Sequence, residues 1–173
     1  MKTLIEKIKT TFPDAVLEEI TFKEQTTLVA TLDKGKKILA SLKEAGFETL
    51  IDLTAVDYLK PEPQTKVIYH LLDPKTYQRI RIAVWVKRHE TIPSVTDVWA
   101  GANWYERELF DLYGVRFTGH PDLKRILMPD DWEGHPLRKD YALTEESVEF
   151  KNNVKPKVPS EIIPHVQTRS RKS

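Results

Sequence analysis

The side chains best suited to chemistry are concentrated in one stretch of the chain, residues 99–141. Neighbouring carboxylates can act as a general acid and base, and carboxylates with histidines can ligate a metal ion. A glycosidase would also need two carboxyl groups opposed across a cleft, and the sequence supplies no such cleft. We therefore favour structural ion pairs over catalysis or metal binding. The residues concerned are Glu106, Glu108, Asp111, His120, Asp122 and His135.

Both histidines of this stretch stand in the same tripeptide, Gly-His-Pro, at 119–121 and at 134–136. Two imidazoles could bind a metal ion as a pair. Histidines in such loops more often hydrogen-bond to backbone carbonyl groups. We expect this second role for His120 and His135.

Three arginines, Arg107, Arg125 and Arg138, stand near these acids in the sequence. The planar guanidinium group can bridge a carboxylate and a backbone carbonyl at once. Aromatic residues such as Trp104 and Trp132 surround them and would help to exclude water. We therefore expect ion pairs that are desolvated at a subunit interface. Replacing Arg125 or Arg138 with alanine should then weaken assembly and leave the melting of the isolated domain nearly unchanged.

The chain has no cysteine among its 173 residues. Disulfides, thiolate nucleophiles, zinc–thiolate sites and cysteine-ligated iron–sulfur clusters are therefore excluded from it. The sequence contains no glycine-rich phosphate loop or dinucleotide-binding motif, so no nucleotide site is predicted. No apolar run approaches the ~20 residues that a membrane-spanning helix needs.

Charge is unevenly distributed, although the net charge is only +1. The tail 151–173 has six basic residues and one acidic residue, a net charge of +5. Such a tail could bind nucleic acid or anionic lipid. Nucleic-acid binding would favour aromatic residues among the basic ones, and only Phe150 lies nearby. We expect a tail that is solvated or bound to a partner.

Helix and strand signals alternate along the first hundred residues. Asp33 is placed to cap one helix and Ser94 a short one, while Asn103 and Glu106 form a capping-box pattern for the helix that carries the acids. Gly114 stands where a left-handed residue would end that helix. The predicted helices cover residues 3–12, 34–45 and 103–113, and the predicted strands cover 16–22, 26–32, 47–56, 67–72 and 78–87.

These signals predict an α+β fold. We expect a mostly antiparallel or mixed sheet of four to five strands with helices on one face, followed by a long irregular C-terminal arm. Residues 1–114 would form the α+β domain, which ends in the Glu-Arg-Glu helix. Residues 115–173 would form an extended proline-rich arm and basic tail. Because no periodic apolar face follows Gly114, we expect this arm to dock on partner subunits.

The stretch that holds the acids also resembles a known family. Its residues read Glu106-Arg107-Glu108-x-x-Asp111-Leu112-Tyr113-Gly114, then Gly119-His120-Pro121-Asp122-Leu123-Lys124-Arg125-Ile126-Leu127, then Asp130-Asp131-Trp132-x-Gly134-His135-Pro136-Leu137-Arg138-Lys139-Asp140-Tyr141. This pattern covers roughly a quarter of the chain. It closely resembles the 30 kDa-type subunit of the proton-pumping NADH–quinone oxidoreductase, respiratory complex I. Ala142 stands where most relatives would have proline, and no proposed role involves it.

The resemblance implies a structural core subunit of the peripheral arm of that enzyme. The assembled enzyme transfers electrons from NADH to quinone and couples this transfer to proton translocation. This chain would contain no catalytic centre and bind no metal or cofactor of its own. Flavin, iron–sulfur clusters and quinone would be held by partner subunits.

The resemblance also implies the chain's partners and position. The chain would contact other complex I subunits, especially the large subunit of the quinone site, in a hetero-oligomer that binds no nucleic acid. It would lie peripherally on the cytoplasmic side of a bacterial cell membrane, or on a plastid thylakoid, and touch the membrane only through the complex. Residues expected at subunit interfaces or in structural contacts are Glu106, Arg107, Glu108, Asp111, His120, Asp122, Arg125, Trp132, His135 and Arg138.

Two alternatives stay open at this point. The chain could be the equivalent subunit of a related complex, such as a ferredoxin- or deazaflavin-linked dehydrogenase or a membrane-bound hydrogenase. An interpretation of another class is a stand-alone hydrolase that uses Glu106, Glu108 and His120. The missing cysteines, the missing nucleotide motif and the long proline-rich arm favour a subunit.

Overall fold

Five strands form the sheet on which the rest of the molecule is built. The computed structural model describes residues 2–23 and 25–141; the predictions for the tail 151–173 lie outside them. The helices are α1 (Lys2–Thr11), α2 (Gly35–Glu44) and α3 (Ala102–Tyr113). The strands are β1 (Val16–Phe22), β2 (Gln25–Ala30), β3 (Thr49–Tyr58), β4 (Gln64–Leu72), β5 (Arg79–Lys87), β6 (Thr91–Pro93) and β7 (Arg116–Thr118). Within these residues, no helix has the length and apolar character needed to cross a bilayer.

The sheet has the order β1-β2-β5-β4-β3. All neighbouring strands in it are antiparallel except β2 and β5, which are parallel. The predicted α+β class with a mixed sheet is therefore confirmed. A second sheet consists of β6 and β7 alone, and these two short strands are parallel.

Alternation along the strands decides which face of the sheet is buried. Ile80, Ile82 and Val84 on β5 are almost completely buried and belong to the core, as the sequence pattern predicts. From α2, Ile38 and Leu42 enter the same core. Side chains at i and i+4 lie on one face of a helix, so this spacing turns a single stripe of α2 towards the sheet.

Three predicted helix starts are wrong. Helix α2 has Lys34 rather than Asp33 as its N-cap, because the Asp33 carboxylate hydrogen-bonds to Thr31 instead. Helix α3 begins at Ala102 after Gly101, so Asn103 lies inside the helix. Ser94 starts only a turn, in which its hydroxyl accepts the Thr96 N–H at 3.2 Å. Serine, threonine and aspartate bond to nearby backbone in turns as readily as at helix caps, so the sequence signal is ambiguous.

The predicted end of α3 is confirmed. Gly114 is the C-cap, with a left-handed φ of 72°, and its N–H donates to Phe110 O. A side chain at this position would be strained by φ, and its Cβ would also press against the side chains of His135 and Arg138. Glycine is therefore required here by conformation and by packing.

The compact unit does not stop at Gly114, the predicted domain end. It continues through Lys139, and of the second unit only Asp140 and Tyr141 are described. Val115 and Phe117 are 4% and 5% exposed and join the hydrophobic core, which explains why this segment packs on the sheet domain. A three-residue strand is too short to show a periodic pattern in the sequence. The docking of residues 115–173 on partner subunits stays a prediction.

We expect Gly114→Ala to destabilise the protein by about 2 kcal/mol or more, because alanine is strained at positive φ and its methyl group would displace His135 and Arg138. Urea unfolding followed by circular dichroism measures this change.

The matched control is Gly101→Ala, at an exposed position with no atom within 4 Å of the added Cβ. It should change the free energy of unfolding by no more than about 0.5 kcal/mol. Equal effects of the two variants would contradict the requirement for glycine at 114.

Candidate functional site

Helix α3 holds two fully buried carboxylates, Glu106 and Asp111, both with 0% exposure. Five residues separate them, so their side chains leave the helix about 140° apart and enter different surroundings. A carboxylate is buried at acceptable cost only when hydrogen bonds or opposite charges compensate its lost hydration. The two sites differ in how far this compensation goes.

Asp111 receives hydrogen bonds from the arm on both oxygens. Arg125 Nη1 donates to Oδ1 at 2.7 Å. The backbone N–H groups of Ile126, Leu127 and Met128 donate to Oδ2 at 3.0, 2.7 and 2.8 Å. One carboxylate therefore fixes the backbone of four consecutive arm residues against α3.

These donors decide the ionisation of Asp111. Burial pushes its pKa up, but the N–H bond from Met128, the Arg125 guanidinium and the N–H bonds from Ile126 and Leu127 together outweigh it. The pKa of Asp111 therefore lies below its usual value. The carboxylate stays charged at neutral pH because its donors favour the charged form.

Arg125 extends this contact to the rest of the arm. Besides Asp111 Oδ1, its guanidinium donates to the carbonyl oxygens of Asp111, Trp132 and Gly134 at 3.2, 2.9 and 3.0 Å. Its side chain is 16% exposed, and that of Asp111 is 0% exposed. The pair is thus desolvated inside the chain. This corrects the expectation that removing Arg125 leaves the melting of the isolated domain unchanged.

Arg107 holds the beginning of the same segment. Its Nε and Nη2 donate to the carbonyl oxygens of Lys124 and Arg125 at 3.1 and 3.0 Å. The guanidinium also stacks over the ring of Trp104, 5.1 Å from the centroid, and this cation–π contact is stabilising.

The last turn of α3 is capped by the arm. Backbone carbonyl groups in the last turn of a helix have no partner within the helix. His135 Nδ1 bonds to Asp111 O at 2.8 Å, the Leu137 N–H donates to Leu112 O at 3.0 Å, and Arg138 Nε donates to Tyr113 O at 2.7 Å. Three successive carbonyl groups are satisfied in this way, so the arm and the helix end depend on each other.

Glu106 lies in a less polar environment. Its Oε1 accepts the Val95 N–H at 2.7 Å, and the Ser94 hydroxyl also bonds to the carboxyl group. Within the described part of the chain, no group donates to Oε2. Burial is the strongest influence and raises the pKa of Glu106 to about 7, although the two hydrogen bonds act in the other direction.

His120 comes from the arm and approaches Glu106. Its Nδ1 accepts the Asp122 N–H at 3.0 Å, so Nε2 carries the hydrogen, which points to Asn103 O at 3.3 Å. The distance from Nε2 to Glu106 Oε2 is 4.0 Å, and both side chains are 0% exposed. A hydrolase would need these groups open to substrate and water. Here they are sealed in the core.

The remaining predicted site residues lie apart from this pair. Glu108 is two positions from Glu106, on nearly the opposite side of α3, and is partly exposed. Asp122 forms an exposed ion pair with Lys124 at 3.0 Å. Trp132 is partly buried and supplies a carbonyl group to Arg125. No group of three or more potential ligands that could hold a metal ion occurs in the described ranges.

Sequence reasoning missed one buried ion pair, between Asp57 on β3 and Arg88 after β5. Two hydrogen bonds of 2.5 and 2.8 Å join them, and the Lys139 N–H donates to Asp57 Oδ2 at 2.8 Å. The end of the compact unit is thereby tied to the sheet. Asp57 shares strand parity with Leu53 and Ala55, and this inward-facing position is the signal that could have identified it.

Comparisons with known proteins give a consistent result. A family model described as respiratory-chain NADH dehydrogenase, 30 Kd subunit, matches residues 28–147. The C-designated subunit of NADH-quinone oxidoreductase from Roseiflexus sp. strain RS-1 is 43% identical over 155 residues, which cover 87% of this chain and 89% of that protein. The subunit of the same designation from Moorella thermoacetica is 46% identical over 151 residues, 86% of this chain and 100% of that protein.

Two solved structures are also similar. A chain from the membrane-bound sulfane sulfur reductase, an archaeal respiratory membrane complex, matches with a TM-score of 0.72 and 27% identity, over 82% of this chain and 85% of that chain. The trypsin-resistant fragment (1–134) of Nqo5 matches with a TM-score of 0.61 and 31% identity, over 70% of this chain and 98% of that chain.

We expect Arg125→Ala to lower the free energy of unfolding by roughly 3–5 kcal/mol, because it leaves the buried Asp111 carboxylate without its cationic partner. Urea unfolding of the full chain measures the loss. Lys124→Ala is the adjacent control: it removes an exposed ion pair, whose side chains are 69% and 58% exposed, and should cost ~0–1 kcal/mol. A similar small cost for both would show that the Asp111 contact is unimportant for stability.

A second prediction concerns pH. The pKa of Glu106 is raised from 4.5 to about 7 in the folded protein. Its contribution to stability is therefore fully present below pH 4.5 and is lost as pH rises through 7, a change of about 3 kcal/mol. Glu106→Gln imitates the protonated carboxyl group and should remove this dependence.

The measurement is the difference in unfolding free energy between the natural chain and Glu106→Gln at several pH values from 4 to 8. The natural chain should lose stability relative to the variant as pH rises. Glu108→Gln, the same replacement on the same helix, should run parallel to the natural chain. A constant difference between the natural chain and Glu106→Gln would rule out titration of Glu106 in this range.

Proposed function

Because this chain belongs to the 30 kDa subunit family of respiratory-chain NADH dehydrogenase, we propose that it is a structural core subunit of the peripheral arm of an NADH–quinone oxidoreductase. In that role it supports electron transfer from NADH to quinone, coupled to proton translocation, without binding a cofactor. Its own task is to hold the arm segment 120–139 in a fixed shape that neighbouring subunits recognise.

The observation that carries this proposal is the exposure of large apolar side chains on an otherwise tightly bonded framework. Trp104, Leu127 and Leu137 are 59%, 58% and 47% exposed. Trp104 lies on α3, Leu127 is bonded to Asp111 through its N–H, and Leu137 to Leu112 in the same way. Apolar side chains held rigidly at a surface are typical of protein interfaces, since little conformational entropy is lost when they bind.

The absence of cysteine supports the part of the proposal that concerns cofactors. Iron–sulfur clusters need thiolate ligands, so any cluster of the complex is held by other subunits. The buried carboxylates of α3 bond to their own chain and offer no open ligand position. We assign flavin and quinone to partner subunits as well, with the large quinone-site subunit as the main neighbour of the arm.

The proposed location is the cytoplasmic side of a bacterial cell membrane, or a plastid thylakoid, reached through the complex. Support comes from the bacterial relatives in Roseiflexus and Moorella, which are named as subunits of NADH-quinone oxidoreductase.

A second candidate is the equivalent subunit of a related respiratory complex with another donor or acceptor. It is favoured by the similarity to a chain of the membrane-bound sulfane sulfur reductase, at 27% identity over 82% of this chain. Isolation of the tagged full chain from its native membrane distinguishes the two. Co-isolation of an NADH-oxidising flavoprotein supports the first candidate, and its absence from an otherwise intact complex supports the second.

We expect Leu127→Asp to reduce incorporation of the chain into the complex about tenfold or more, because a carboxylate would be buried in the proposed interface. Fold and melting temperature of the free chain should hardly change, since this side chain is 58% exposed. Quantitative immunoblotting of the isolated complex, with NADH–quinone activity of the membranes, measures the effect.

The matched control is Leu17→Asp on β1, where the leucine side chain is 63% exposed. It introduces the same charge at similar exposure but far from the arm in sequence, and should assemble normally. If Leu127→Asp assembles as well as Leu17→Asp, the arm is not the docking element. If it assembles but electron transfer is lost, a direct role in the chemistry replaces the structural one.

A further inference from the structure

An open groove lies at one end of the five-stranded sheet, away from the acids of α3. It is lined by residues from the beginning of β2, β3 and β5 and from the end of β4, and it encloses about 200 Å³. Binding sites for drug-sized molecules usually measure ~300–1,000 Å³, so this groove is suited to a side chain rather than to a nucleotide. Its charged and polar lining includes Gln25, Asp52, His70, Arg79 and Arg81.

The register of the strands places these side chains on one face. Asp52, His70 and Arg81 are successive cross-strand partners on β3, β4 and β5. Arg79 lies two residues before Arg81 and therefore on the same face. The intervening Ile80 is 1% exposed and belongs to the core on the other face.

The groove carries an excess of positive charge. Two guanidinium groups face one carboxylate, that of Asp52. His70 adds no charge near neutral pH, because burial lowers its pKa, against the influence of Asp52 and with that of Arg81. Within the described residues, the buried Nε of Arg81 has no hydrogen-bond acceptor. A buried donor without an acceptor is costly, so the groove favours a ligand that brings negatively charged oxygen.

The sheet face around the groove is suited to contact with another chain. The core side chains of the sheet, such as Leu28 and Tyr69, lie on the opposite face with those of the helices. On the face of the groove, Ile20, Val56 and Tyr58 are 37%, 39% and 39% exposed. Ile51, at the irregularity of β3, adds a 39% exposed apolar side chain to the lining. A basic groove beside exposed apolar groups matches a partner surface with an acidic residue among apolar ones.

We propose that this groove is a second docking site of the chain, and that Arg79 and Arg81 bind an aspartate or glutamate side chain from an acidic segment of a neighbouring subunit. The inference rests on the proposed function, since it needs neighbours in a complex. The guanidinium fork matches a carboxylate in two parallel hydrogen bonds, which gives the contact its specificity. It is a surface distinct from the arm, so the chain contacts its neighbours at two places.

The test uses the assembled complex, isolated from its native membrane, with the photoreactive residue p-benzoylphenylalanine in place of Arg79, whose side chain is exposed. After irradiation, mass spectrometry identifies the crosslinked peptides. We expect a segment of a different subunit with an aspartate or glutamate within a few residues of the crosslink. Crosslinks only within this chain, to a second copy of it, to lipid, to a segment without acidic residues, or none at all, overturn the proposal.

Charge variants give an independent readout. Arg79→Glu, alone and with Arg81→Glu, should lower retention of the chain in the complex after a salt wash about tenfold, whereas Arg79→Lys should lower it less. Changing the crosslinked acidic residue of the neighbour to arginine should restore retention of the Arg79→Glu chain. Unchanged retention of Arg79→Glu, or no rescue, overturns the proposal.

The control position for crosslinking is Lys37, an exposed residue of α2 on the helix-covered side of the sheet. The photoreactive residue placed there should not reach the same segment, and capture of that segment from both positions would count against a site in the groove. Co-isolation of this chain with the other subunits is read in the same sample. An intact complex without the expected crosslink removes the groove proposal alone, whereas failure to co-isolate removes the proposed function with it.

Discussion

The buried carboxylate of Asp111 is the contact on which the ordered arm depends. It has no exposure to solvent, and it is stabilised by the backbone of residues 126–128 and by Arg125. None of these donors would be held in place without it, because residues 120–139 contain no helix and no strand of their own. The segment is thus organised by polar contacts with α3 rather than by its own apolar core. This explains how a proline-rich stretch can have one conformation.

The two carboxylates of α3 show how the number of donors decides ionisation. Both are fully buried, and burial alone raises the pKa of each. Asp111 has enough donors to reverse this effect, whereas Glu106, with an unpaired Oε2, has a raised pKa. One helix therefore carries a permanently charged anchor and a group that titrates near neutral pH. The same comparison explains why acids so close in sequence do not form a catalytic pair: they lie about 140° apart on the helix, and neither is open to substrate.

Much of the fold could be predicted from residue patterns, and the reasons are local. Strict alternation at Ile80, Ile82 and Val84 predicts a strand with one buried face, and Gly114 can end α3 because only glycine tolerates its backbone conformation without strain. The caps at Asp33 and Asn103 could not be predicted, since the same side chains bond to turns or point elsewhere with little difference in energy. The contacts of Arg125 and the pairing of Asp57 with Arg88 also depend on residues distant in the chain. The sequence showed that acids and arginines lie near each other, but only the tertiary structure decides which of them meet.

Hydrogen exchange at the arm tests the central claim most directly. In the full chain, the amide hydrogens of Ile126, Leu127 and Met128 each donate to Asp111 Oδ2. If this carboxylate organises the arm, these amides exchange as slowly as those of the central strands β4 and β5. In Asp111→Asn they lose that protection while β4 and β5 keep it. Exchange at the rate of an unprotected loop in the natural chain would contradict the account.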